Sequence, residues 1–239
     1  MTVTVRRVVI AGAVVLLLLF AGGYLGLRWF VSSSLDPAYF EEAILAFEQA
    51  DREAPPAPGA VVFVGSSSIR AWSSLAEDMA GIPVLNRGFG GSQLVHVVHN
   101  ADRIITPYAP TAVVVYAGDN DLVARTGKTA EVVRADFELL VERIRAKQPE
   151  ARIYFLSIKP SKVRWDRWPE MNWANALVER FCADDPNLSY VDVAGVLLGP
   201  EGTPRDDVFL LDGLHMNETG YRAWSEIVRP LLLRDLGTP

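Results

Sequence analysis

The chain has 239 residues, of which half are hydrophobic and 22% are charged, a composition typical of one globular domain with a substantial core. Its net charge is −6 and it contains no long basic run, which excludes the electrostatic pattern of a nucleic-acid-binding protein. The single cysteine, Cys182, excludes an intramolecular disulfide.

The first 31 residues differ in composition from the rest. Arg6 and Arg7 precede an uncharged apolar stretch, Val8 to Leu27, whose length of about 20 residues is enough for a helix to cross a bilayer. We therefore predict a membrane anchor in residues 1–31, with the remaining chain on the extracytoplasmic side, periplasmic or extracellular. The alternative is a signal sequence that is cleaved to release a secreted protein, because Ala21-Gly22-Gly23 offers small residues to a peptidase.

Residues 32–59 are predicted to form a linker and a leading helix. Asp36 suits the N-cap of this helix and Pro37 its first position. Apolar residues then recur at helical spacing as far as Phe47. The proline-rich segment 54–59 ends the helix and leads into the first strand.

Short apolar runs alternate with amphipathic helical patterns from residue 60 to residue 236. The strand-like runs are Val61–Val64, Val84–Leu85, Ala112–Tyr116, Ile153–Leu156 and Tyr190–Val193. The clearest helical patterns are Ala130–Ala146, Pro169–Ala183 and Glu218–Leu233. This alternation predicts an α/β fold, a three-layer α/β/α sandwich around a mainly parallel central sheet, preceded by the N-terminal transmembrane helix.

Polar residues and glycines follow the predicted strands, at the edge of the sheet where ligand sites lie in open α/β folds. The serines 66–68 follow the first strand, Gly91 the second and Asn120 the third, while Asp212 and His215 precede the last helix. A serine hydroxyl needs a base to take its proton, and the base needs a group that holds its tautomer. The sequence therefore predicts a serine hydrolase with His215 as base and Asp212 as the orienting acid.

Four blocks, in the same order, resemble the SGNH or GDSL-type hydrolase superfamily. They are Phe63–Arg70, Asn86–Ser92, Gly118–Asp121 and Asp212–His215. The resemblance implies Ser67 as the nucleophile, Asp212 and His215 as acid and base, and a flavodoxin-like sandwich. It also implies an oxyanion hole made by the backbone amides of Ser67 and Gly91 and the side-chain amide of Asn120.

The same resemblance implies a carboxylic ester hydrolase that needs no metal or organic cofactor. The predicted external location and the lack of a long apolar lid favour a small O-acyl ester, such as an acetyl group on an envelope glycan. A lysophospholipid, thioester or other lipid ester is the alternative, favoured by the predicted anchor and by Trp165 and Trp168, which are candidates for the substrate pocket. Acyl transfer to an alcohol and a non-catalytic binding module are further alternatives.

His96 and His99 lie three residues apart on a predicted helix, a spacing that can place two metal ligands on one face. A metal site needs a third ligand, and the neighbouring sequence offers none of a suitable type. We therefore predict packing or surface positions for both histidines and no metal site.

Overall fold

The computed structural model describes residues 36–237. Within this range the strands are β1 (Val61–Gly65), β2 (Val84–Gly88), β3 (Ala112–Tyr116), β4 (Arg152–Leu156) and β5 (Leu188–Val191). The helices are α1 (Glu41–Glu53), α2 (Ser67–Arg70), α3 (Leu75–Asp78), α4 (Leu94–Ile104), α5 (Ala130–Arg145), α6 (Trp168–Ala183) and α7 (Glu218–Leu236). Short 3₁₀ turns lie at Pro37–Phe40, Thr106–Tyr108, Ala124–Thr126, Trp165–Arg167 and Gly195–Leu197.

The strands form one parallel sheet in the order β2-β1-β3-β4-β5. The chain moves outward from β1 to β2 and then crosses back to β3, so the order reverses between β1 and β3. A crevice forms at such a switch point because the loops that leave the two strands diverge. Gly65, the last residue of β1, pairs with Gly88 on one side and with Tyr116 on the other.

Alternate strand residues pack on opposite faces of the sheet, as the period of two in a strand requires. Val62 and Val64 join a core with α1, α4, α5 and α6, whereas Val61 and Phe63 join a second core with α2, α3 and α7. The predicted three-layer sandwich with a parallel central sheet agrees with this arrangement.

The structure corrects the prediction of a transmembrane helix. No helix within residues 36–237 is long and apolar enough to cross a membrane. Helix α7 has 19 residues, but it is amphipathic: Trp224 and Val228 are buried against the sheet, while Arg222 is exposed. The apolar stretch Val8–Leu27, on which the prediction was based, lies outside the described residues. The extracytoplasmic location stays a prediction.

Candidate active site

Ser67 is the first residue of α2 and lies at the turn that leaves β1. The backbone N–H of Ser66 donates to the carbonyl of Tyr116 at 2.9 Å, and the hydroxyl of Tyr221 donates to the carbonyl of Ser68 at 3.0 Å. These bonds hold the turn between β3 and α7. Ser66 and Ser68 are buried, whereas Ser67 is partly exposed. Of the three serines, the turn thus leaves Ser67 accessible from solvent.

A line of hydrogen bonds joins Ser67, His215 and Asp212. The Ser67 Oγ lies 3.1 Å from His215 Nε2, and His215 Nδ1 lies 2.6 Å from Asp212 Oδ2. Asp212 Oδ1 accepts the backbone N–H groups of Leu214 and His215, both at 2.9 Å. The bond to His215, followed by the bond to Leu214, lowers the pKa of Asp212 to about 2. An ionised Asp212 keeps the proton on Nδ1, which leaves Nε2 free to accept the Ser67 proton.

Asp212 and His215 lie on one turn, residues 209–216, which we call the acid–base turn. Its two ends form an antiparallel bridge. Gly213 has a φ of +63°, in the left-handed region that favours glycine, and its carbonyl accepts the backbone N–H of Lys162 at 3.0 Å. The acid–base turn is thus fixed to the loop that follows β4.

The loops that follow β2 and β3 bring Gly91 and Asn120 together. Asn120 Nδ2 donates to the carbonyl of Ser92 at 3.0 Å, directly beside Gly91. An amide nitrogen carries two hydrogens, so this bond leaves the second one for a ligand. Gly91 is exposed and has a φ of +88°, which a residue with a Cβ rarely adopts. Since β1 lies between β2 and β3, both loops flank the Ser67 turn.

Asp121 ties these two loops together, a role that the sequence reasoning missed. Its carboxylate oxygens accept the backbone N–H of Leu94, the first residue of α4, at 3.2 and 3.3 Å, and Lys128 Nζ lies 3.0 Å away. Asp121 is fully buried, and burial raises its pKa to about 6. The one feature of the sequence that could have pointed to this role is the position of Asp121 next to Asn120 in the Gly118–Asp121 block.

Two cations from the loop after β4 also reach the site, and the sequence reasoning missed both roles. Arg164 donates to Asn120 Oδ1 at 2.8 Å and pairs with Asp119 at 2.9 Å. Lys159 is buried and donates to the carbonyl of Leu214 at 2.7 Å. Neither belongs to a periodic pattern or a motif, so only the folded chain reveals these contacts.

Exposed aliphatic side chains lie beside the acid–base turn. Val163, Leu210 and Leu211 are exposed, and Leu211 precedes Asp212 directly. Val163 also lies beside the acid–base turn, because a Cβ added at Gly213 would lie 3.4 Å from the Cγ2 of Val163. We call these three residues the aliphatic rim.

An open cavity of about 490 Å³ lies next to the acid–base turn. Leu210, Met216 and Tyr221 line one side, and Ala71 and Ser73, from the segment after α2, line another. Ligand pockets commonly have volumes of about 300 to 1,000 Å³. The cavity is therefore large enough for part of a small organic molecule.

Trp165 and Trp168 stack on each other, with ring centroids 6.0 Å apart and ring planes 12° apart. Trp168 also packs against the core that contains α6. The stacking joins the two rings to each other, and their predicted role in the substrate pocket stays a prediction.

His96 caps helix α4, because its Nδ1 accepts the backbone N–H of Gln93 at 2.9 Å. His96 is buried and His99 is exposed. Over residues 36–237, no cluster of three or more His, Cys, Asp or Glu side chains could hold a metal ion. The two histidines have the packing and surface positions predicted for them.

Comparison with known proteins identifies the family. The model of the GDSL-like lipase/acylhydrolase family matches residues 52–223. The chain belongs to this family. Ester hydrolysis is therefore its class of chemistry, and the loops described above lie within the matched region, which contains all four blocks quoted from the sequence.

Known relatives of this acylhydrolase carry different names. Platelet-activating factor acetylhydrolase IB subunit alpha1 of Bos taurus is 28% identical over 183 residues, which cover 73% of this chain and 75% of that protein. Among solved structures, a GDSL-like lipase from Bacteroides thetaiotaomicron has a TM-score of 0.68 at 18% identity and covers 83% of this chain and 99% of its own. A family 3 carbohydrate esterase from Clostridium thermocellum has a TM-score of 0.58 at 17% identity, covering 75% and 98%. Both structures share the fold.

Proposed function

We propose that this acylhydrolase is a serine esterase that cleaves a small O-acyl ester through an acyl-enzyme intermediate on Ser67. The observation that carries the proposal is the line from Ser67 through His215 to Asp212, with distances of 3.1 and 2.6 Å. A hydroxyl, an imidazole and a carboxylate in this order match the roles of nucleophile, base and orienting acid.

In this mechanism His215 Nε2 takes the proton of Ser67 as its Oγ attacks the ester carbonyl. His215 then gives the proton to the leaving alcohol, and the acyl group stays on Ser67. Water repeats the attack on the acyl-enzyme, again with His215 as base, and releases the acid. Asp212 stays ionised, since its pKa is lowered to about 2, and stabilises the imidazolium formed in each half of the reaction.

The attack places negative charge on the carbonyl oxygen, and donors aimed at that oxygen lower the barrier. The backbone amides of Ser67 and Gly91 and the free N–H of Asn120 are the proposed donors. Loss of one such donor costs about 3 to 4 kcal/mol in other enzymes. Arg164, bonded to Asn120 Oδ1, supports this role because it keeps the Asn120 nitrogen turned toward the Ser92 carbonyl.

Hydrolysis of p-nitrophenyl esters from acetate to palmitate tests the proposal with the full chain. We expect the highest kcat/KM on the shortest esters and covalent labelling of Ser67 by a fluorophosphonate, located by peptide mass spectrometry. A protein that hydrolyses no ester and takes up no label would instead be a binding module. Labelling of another residue would contradict the assignment of the nucleophile.

An ester with a longer hydrocarbon chain is the second candidate substrate. The aliphatic rim favours it, because exposed side chains beside Asp212 and His215 can cover part of such a chain. The name of one similar structure, a GDSL-like lipase, is consistent with a lipid substrate, whereas the name acetylhydrolase of the curated relative agrees with the shorter acyl group. The fold leaves the choice open, since lipases and carbohydrate esterases share it.

A contact between the aliphatic rim and the hydrocarbon chain of the substrate can be tested by mutation. Leu211→Ser is expected to lower kcat/KM on p-nitrophenyl laurate about fivefold, because the partial burial of a leucine against hydrocarbon contributes about 1 kcal/mol. On the acetate ester the same variant is expected to change kcat/KM less than about twofold. Leu45→Ser, which alters an exposed leucine on α1, is the matched control. Equal losses on both esters would show that the rim does not bind the chain.

Acyl transfer to an alcohol in place of water would use the same residues, because any hydroxyl that reaches the acyl-enzyme can give its proton to His215. Product analysis with an added sugar distinguishes the two reactions. For an esterase, we expect the free acid as the main product at every sugar concentration. A sugar ester that replaces the acid as the sugar concentration rises would identify a transferase.

A further inference from the structure

Lys159 places a buried ammonium group beneath the acid–base turn. The side chain is 2% exposed, and its Nζ donates to the carbonyl of Leu214 at 2.7 Å. The same Nζ lies 5.7 Å from the centre of the Phe209 ring, within range of a cation–π contact. Lys159 therefore contacts the acid–base turn at two points, Phe209 and Leu214, from the loop that follows β4.

The backbone of Leu214 connects Lys159 to the acid. Its N–H donates to Asp212 Oδ1 at 2.9 Å, and its carbonyl accepts from Lys159. His215 is the next residue in the chain. A rotation of this segment that broke the Lys159 bond would therefore disturb the hydrogen bond to Asp212 and the direction of the His215 ring together.

A buried ammonium is costly, which argues for a role beyond packing. The pKa of Lys159 is lowered to about 8, mainly by burial; the nearby Arg164 contributes to this change, and the carboxylates of Asp119 and Asp212 oppose it. Among residues 36–237 its hydrogen bond goes to a carbonyl and not to a carboxylate. A methionine or leucine would fill such a position without this desolvation cost.

We propose that Lys159 is a positioning residue, whose ammonium fixes the Leu214 carbonyl and thereby holds Asp212 and His215 in line with Ser67. The inference rests on the proposed esterase function. It assigns Lys159 no contact with substrate. Its effect is on how often the three groups are aligned for attack, so it changes kcat and leaves the binding of substrate nearly unchanged.

The test is Lys159→Met, which keeps the length of the side chain and removes the donor. Misplacement of reacting groups by about 1 Å can lower a rate about 100-fold, so we expect kcat on p-nitrophenyl acetate to fall about 30- to 100-fold with KM within threefold of wild type. The rate of fluorophosphonate labelling of Ser67 should fall in parallel. The matched control is Lys162→Met, which removes an exposed ammonium from the same loop and keeps the backbone bond to Gly213.

Lys159→Gln keeps a neutral donor and carries the test if the methionine variant does not fold. We expect a smaller loss of kcat, about tenfold, with KM unchanged and a melting temperature close to that of wild type. A kcat within threefold of wild type in a folded variant would overturn the proposal, and so would a change confined to KM. If neither variant folds, Lys159 serves the stability of the fold and the positioning role is wrong.

Wild type and Ser67→Ala, measured in the same assays, separate this proposal from the proposed function. Active wild type with an inactive Ser67→Ala variant and active Lys159 variants contradicts the positioning role alone. Wild type that neither hydrolyses esters nor takes up the phosphonate contradicts the esterase, and the positioning role with it.

Discussion

Replacing Ser67 with alanine is expected to lower kcat/KM for ester hydrolysis by roughly 10⁴-fold or more, because the acyl-enzyme cannot form without its hydroxyl. The residual rate would come from the oxyanion donors and from substrate binding alone. The measurement is steady-state hydrolysis of p-nitrophenyl acetate, with unfolding of the variant followed in parallel. The unfolding curve should match that of wild type, since the change removes one partly exposed oxygen.

The neighbouring serines supply the controls for this experiment. Ser66→Ala and Ser68→Ala remove hydroxyls of buried residues, and it is Ser67 whose Oγ lies 3.1 Å from His215. Both variants are expected to keep kcat/KM within about tenfold of wild type. A loss in either that equals the loss in Ser67→Ala would show that the nucleophile has been assigned to the wrong residue of the three.

Gly65→Ala is expected to have the largest effect on stability. A Cβ at this position would lie 1.8 Å from the carbonyl oxygen of Tyr116, which accepts the N–H of Ser66, and the φ of Gly65 is +135°. Backbone atoms of β3 cannot move away without breaking the sheet. We expect the free energy of unfolding to fall by about 3 kcal/mol or more, a large share of the roughly 5 to 15 kcal/mol of a typical domain.

Urea unfolding measures this loss, and Gly202→Ala is the matched control. Gly202 also has a positive φ, +71°, but nothing lies within 4 Å of an added Cβ. Its replacement should therefore cost only the backbone strain, about 1 kcal/mol. Equal losses in the two variants would mean that strain, and not the collision with β3, decides the effect at Gly65.

The sheet was largely predictable from the sequence because β1, β3 and β4 are runs of buried apolar residues and because β2 and β5 each contain a short apolar segment. The residues at which β2 and β5 end were not predicted correctly. Strand β2 continues through Asn86 and Arg87, and the apolar pattern did not predict this part because both side chains are polar. In the structure Asn86 donates to the carbonyl of Ile69, and Arg87 pairs with Asp51. Strand β5 ends at Val191, before the predicted Val193, whose N–H turns away to the Ser157 hydroxyl.

The sequence could nominate the catalytic and oxyanion residues because each lies in a short motif at a strand end or before a helix. The structure brings Ser67 and Asp212 within hydrogen-bond distance of His215, and it joins the loops of Gly91 and Asn120. The supporting charges could not be found in this way. Lys159 and Arg164 act through contacts with loops distant in sequence, and such contacts leave no local pattern.

The acid–base turn carries two of the three proposed reacting groups on a single segment at the surface, anchored by the buried Phe209 and Met216. Its opening would remove acid and base in one step, whereas Ser67 is held between β3 and α7. Segments of this kind can open locally at a far lower free energy than the whole domain. We therefore expect mild heating to lower the activity before the sheet unfolds, and we expect the lost activity to return on cooling as the turn closes again.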